Sequence, residues 1–186
     1  MIAWALAAAL LAPPQPFVSP TYAVQQSGGG LGIWVEETVV LSGVARSARP
    51  GGKRRYWLVE QRRADFDLGQ RTTKHRWIDG RTCPALSGVV DQLQAKLAAE
   101  DARLAAAERF GIRQMQIPTI PPFHTPSVTL TRLSDAEPLS LRDYEGPIAE
   151  WWRRSAQTLE TCWRTEPPLV AGRPVKPTIA ADAVRP

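Results

Sequence analysis

Two cysteines and two histidines are all that the 186 residues contain. No Cys pair or His pair stands at a metal-ligand spacing, so neither a metal site nor a cofactor is expected. The glycine cluster from Gly28 to Gly32 has no following Lys and does not sit between a strand and a helix, which excludes a phosphate-cradling loop. No serine falls in the strand-turn-helix setting of a hydrolase nucleophile. Long apolar runs are also missing. Met1 to Leu11 is uncharged and apolar, but it is about half of the ~20 residues that a membrane-crossing helix needs. No transmembrane helix is expected in the mature chain.

That short apolar run, followed by Pro13, Pro14 and Pro16, has the layout of a secretory signal peptide. The reading covers residues 1–23, with a cut after Ala23, because Thr21 and Ala23 put small residues where a signal peptidase inspects them. A cut after Ala12 is the second choice, since Leu10 is large. Lys and Arg are absent from this leader, and the competing reading is a buried N-terminal helix. Export places the chain in the periplasm or outside the cell. In such an oxidising compartment, Cys83 and Cys162 form a disulfide.

Downstream of the leader, the composition divides the chain. Residues 24–32 read as a flexible lead-in, 33–164 as one domain, and 165–186 as a proline-rich disordered tail. Within the domain, Ile33, Val35, Val39 and Leu41 alternate with Glu36 and Thr38, the period of a half-buried strand. Tyr56 to Val59 and the stretch from Leu68 to Asp79 supply two more strands, and Val128 to Leu133 a fourth. Thr82 and Pro84 mark a helix start. Leu86, Val89, Val90, Leu93, Leu97 and Leu104 then form one apolar stripe, and Gly111 is the expected stop. A second helix after Pro147 carries Ile148, Trp151, Trp152, Ser155, Leu159 and Cys162 on one face. The fold class is therefore α+β: an antiparallel sheet of about four strands, with two helices on one face and one disulfide. Trp34, Trp57 and Trp77 from the strands are expected to share a core with Trp151, Trp152 and Trp163.

The net charge of +5 is unevenly spread. Arg46 to Arg81 holds eleven Lys and Arg against four Asp and Glu, whereas Thr82 to Pro186 holds twelve of each. Arg54, Arg55, Arg62, Arg63, Arg71, Lys74 and Arg76 are thus the candidate anion-binding residues. They point to a non-catalytic binding module for an anionic envelope component or a protein partner. Nucleic acid is disfavoured by location. A solvated sheet edge, with its cations blocking strand pairing, is the plain alternative.

Two other classes compete. An enzyme could use Cys83 as a nucleophile at a helix start, with His75 and Asp79 nearby, or a carboxylate. Glu36 and Glu37 are adjacent on a strand and face opposite ways, while Asp143 and Glu145 read as charges at a helix start. A structural subunit of an envelope assembly would instead expose a Trp-rich patch.

Overall fold

Strand alternation accounts for most of the architecture, and the computed structural model describes residues 17–30, 32–45, 54–109, 126–133 and 139–179. The elements are β1 (Phe17–Gly30), β2 (Ile33–Ala45), β3 (Arg54–Asp67), β4 (Gln70–Asp79), α1 (Ala85–Arg109), β5 (Ser127–Arg132), β6 (Leu139–Asp143) and α2 (Pro147–Leu159). A single 3-10 turn, Glu160–Cys162, and a small hairpin of β7 (Leu169–Val170) and β8 (Arg173–Pro174) follow. Six strands pair antiparallel in the order β4-β3-β2-β1-β5-β6. Both helices pack on one face, so the α+β expectation holds, with six strands where about four were expected.

The two added strands have different causes. β1 lies at the centre of the sheet, between β2 and β5, with Tyr22 and Val24 in the core. The described fold thus already includes Phe17, upstream of Ile33. Residues 24–30 are ladder and not a lead-in, and the strand runs straight through Ala23. Glycine serves close approach here: a Cβ on Gly28 would come within 2.5 Å of Pro126 Cα, and one on Gly29 within 2.1 Å of the Ile33 carbonyl. β6 is only five residues long and carries just Leu139 and Leu141 as apolar signal.

On the helix side, Val24, Val39, Leu41, Val59, Ile78, Val128 and Leu130 meet Leu86, Val89, Val90, Leu93 and Leu97 of α1. Trp151, Trp152 and Leu159 of α2 join the same cluster. The expected stripe of α1 is the buried one; the Leu104 side chain and Gly111 lie outside the described residues. Thr82 does not cap by accepting an amide, since its hydroxyl donates to the Asp79 carbonyl at 3.1 Å. The tryptophans divide. Trp57 packs against the helix-side core with Trp151, Trp152 and Trp163, Trp77 is buried on the opposite face, and Trp34 is exposed at the far end.

Cys83 and Cys162 are bonded, with their Cα atoms 5.7 Å apart. The bond ties the entry of α1 to the turn that ends α2.

Residues 165–179, expected as part of a proline-rich tail, lie against the sheet. Trp77 and Arg164 exchange backbone hydrogen bonds of 2.7 and 2.9 Å, which extends the β4 edge. The chain then crosses to the face without helices. There the amides of Thr178 and Ile179 donate to the Glu60 carboxylate at 2.7 and 3.3 Å, and Ile179 is buried. His75 Nε2 lies 2.9 Å from the same carboxylate. Val40, Leu58 and Trp77, apolar side chains on that face, are all buried. The seven residues from 180 lie outside the described set.

Candidate functional site

Strand register decides where each candidate cation points. Arg63 pairs with Glu37 and Lys74, and Gln61 with Val39 and Arg76, so these side chains share the helix-covered face. Arg62 and Arg71 project from the other face. The structure does not gather the seven into one patch, and the side chains of Arg54 and Arg55 lie outside the described residues. Several are already engaged. Arg63 Nε donates to Asp65 at 2.8 Å, and Lys74 Nζ lies 3.8 Å from the same carboxylate. Arg76 Nε donates to Gln61 Oε1 at 2.7 Å, its Nη1 to Glu160 at 3.3 Å, and its guanidinium stacks 5.1 Å over Trp163.

A cleft of about 620 Å³ opens beside α2, where the outer rows of the sheet pass under that helix. Glu37, Gln26, Arg63, Tyr144, Trp152 and Arg153 line it. Glu37 is 8% exposed, and its Oε1 accepts from Gln61 Nε2 at 2.6 Å. Gln61 is fixed in that orientation because its carbonyl takes the Arg76 bond. Glu37 Oε2 has no partner among the described residues. The same is true of the Arg63 Nη groups and of the whole Arg153 guanidinium.

Burial pushes the Glu37 carboxyl above its ordinary value of 4.5, outweighing the Gln61 hydrogen bond and the nearby positive charge of Arg63. A desolvated carboxyl lining a cleft beside open guanidinium donors is the arrangement that binding and acid-base sites share. Among the described residues, no group of three His, Cys, Asp or Glu is placed to hold a metal ion, and no helix is long and apolar enough to cross a membrane.

No family model, curated protein or solved structure matches the chain.

The site therefore stands on its own chemistry. Cys83 is bonded to Cys162 and is not a nucleophile, and His75 turns to Glu60 on the other face. Asp143 caps α2: Oδ1 accepts from Gly146 at 2.8 Å and Oδ2 from Ile148 at 2.9 Å. Burial raises this carboxyl, but the Ile148, Gly146 and Ala149 amides prevail and hold it below 3.8. Glu36 and Glu37 do face opposite ways, with Glu36 accepting from Trp34 Nε1. Arg153 escaped the sequence reading because it sits in the polar half of an amphipathic helix that also packs core tryptophans. Ile33, Trp34 and Leu68 are the exposed apolar residues at the hairpin ends, and they hold a single Trp between them.

The two shifted carboxyls predict opposite pH effects. The native state holds the Glu37 proton more tightly than the unfolded chain does, so stability falls as pH rises from 4.5 through the raised folded value. Asp143 contributes stability above 3.8 that is lost as pH falls through its depressed folded value. Thermal melts across pH are expected to show Glu37→Gln flattening the first window. Asp143→Ala should cost about 1 to 2 kcal/mol at neutral pH, with the deficit shrinking in acid.

Proposed function

We propose that the protein works outside the cytoplasm as a non-catalytic binding module, and that its cleft receives the anionic part of an envelope component. The pairing of its only two cysteines supports an oxidising compartment, where such bonds persist. The apolar leader supports export. Processing then falls before Phe17, because a cut after Ala23 would remove half of the central strand.

One observation carries the choice of site. Arg63 and Arg153 both line the cleft, Arg63 with its Nε alone committed, to Asp65, and guanidinium groups are suited to carboxylate or phosphate. Reversing charge at Arg63 and Arg153 together is expected to weaken salt-sensitive association with the envelope fraction by about tenfold or more. Arg62→Glu with Arg71→Glu, on the opposite face, should leave it near the wild-type level. The reverse pattern would move the site to the open face. Association blind to both pairs and to salt would remove the anionic reading, leaving an uncharged protein partner.

A second reading is favoured by the raised Glu37 carboxyl: a small enzyme with Glu37 as its acid. Its mark would be turnover lost in Glu37→Gln while ligand binding is kept.

A further inference from the structure

The cleft has unmet acceptors as well as unmet donors. Glu37 is more than nine-tenths buried, yet only one of its oxygens has a hydrogen bond, from Gln61. Its other oxygen is not among the sealed, unpartnered side-chain atoms of the described residues, so it opens to the cleft, where a donor or cation can reach it. Arg63 is the obvious candidate, because it stands directly opposite Glu37 across the β2-β3 ladder. Its Nε is instead committed to Asp65 at 2.8 Å, and Arg76 is turned to Gln61 and Glu160. The lining thus holds two carboxyls, Glu37 and Glu160, and two guanidiniums, Arg63 and Arg153.

We infer that the cleft takes a small dipolar ligand, its primary ammonium on Glu37 Oε2 and its anionic group on Arg63 and Arg153. This rests on the binding reading above and adds the second charge to it. Glu37 and Arg63 are paired across the ladder, which sets their Cβ atoms about 5 Å apart, so a short molecule can span them, such as an amino acid, a short peptide or an ethanolamine phosphate. The cavity is of a size that suits such molecules. Trp152, Val128 and Ala149 give the cleft an apolar wall beside these charges. The remaining charged groups around Glu37 are Asp65 on β3, Arg76 on β4 and Glu160 beyond α2. All three are satisfied within the protein.

The test is calorimetric titration of the whole protein with alanylalanine, its N-acetylated form, its C-terminal amide, and O-phosphoethanolamine. Capping either end of the dipeptide is expected to weaken binding about tenfold or more, because each loses a charge-assisted hydrogen bond. Glu37→Gln should weaken the free-amine probes to a similar degree and leave the N-acetylated probe unchanged. Near-ultraviolet circular dichroism of the buried tryptophans checks that the variant is folded. The stronger of alanylalanine and O-phosphoethanolamine identifies a peptide or a headgroup as the source. Equal binding of the free and N-acetylated dipeptides, with both lost in Arg63→Glu/Arg153→Glu, would overturn the dipolar ligand and keep the anionic site. Failure of every probe to bind at millimolar concentration would overturn the inference outright.

Discussion

Replacement of Cys83 and Cys162 together by alanine is expected to lower the stability of the protein by about 4 to 5 kcal/mol. The bond closes a loop across 79 positions, and opening a loop of that length returns a large entropy to the unfolded chain. What the bond joins matters as much. It pins the chain just before α1, near buried Leu86, against the 3-10 turn Glu160–Cys162 that precedes Trp163. Without it, α2 is held by its tryptophans and by the Asp143 cap. A loss of this size is a large share of the net stability of an ordinary domain. Urea titration with and without reductant measures it: the wild type in reductant should match the double variant. Coincident midpoints for the oxidised and reduced protein would show that the bond contributes nothing.

Glu60→Ala is the second large effect, expected to cost about 3 kcal/mol. Its carboxylate receives the amides of Thr178 and Ile179 and contacts His75, in a position only 3% exposed. Two backbone donors would be stranded, each at about 1 to 3 kcal/mol. The chain has a cheaper escape, which is to release residues 165–179 to water and uncover Val40, Leu58 and Trp77. The variant should therefore become sensitive to protease in this segment while its helix-side core still melts cooperatively. Glu60→Gln keeps one carbonyl oxygen as acceptor and should lose less. An alanine variant as resistant as the wild type would show that the segment docks by its apolar contacts alone.

Periodicity made the helix-facing half of the molecule legible. The odd residues of β2 and the 3-4 stripes of α1 and α2 each name a buried face, and the two cysteines fall at matching helix ends. What stayed hidden had local signals that pointed elsewhere. Tyr22 and Val24 alternate with Ala23 and Gln25 as a strand requires, but they follow a proline-rich stretch and precede a glycine cluster that reads as a linker. Those glycines are there because Pro126 and the β2 backbone come too close for any side chain.

The tail misled for a related reason. Proline prevents regular structure, yet an irregular chain can still be fixed when a buried carboxylate on another strand accepts its amides. Glu60 lies 118 positions from Thr178, a distance no local pattern spans. The candidate site was half visible. Glu37 and Arg63 were both singled out, but for separate reasons. Only the ladder register and the orientation of α2 bring them to one cleft with Arg153.

The same register explains why the concentration of charge in the meander does not become a single basic surface. Successive strand residues alternate faces, so Arg62 and Arg63 are neighbours in sequence and opposed in space. Asp65 then neutralises much of what remains on the helix side.

Non-reducing intact-mass analysis of the protein recovered from the cell envelope decides whether the domain is exported and oxidised. The expected species is a chain that starts at or before Phe17, has lost its apolar leader, and is lighter by two hydrogens than its reduced form. A full-length cytosolic chain with both thiols free, or a folded mature chain beginning at Val24, would contradict it.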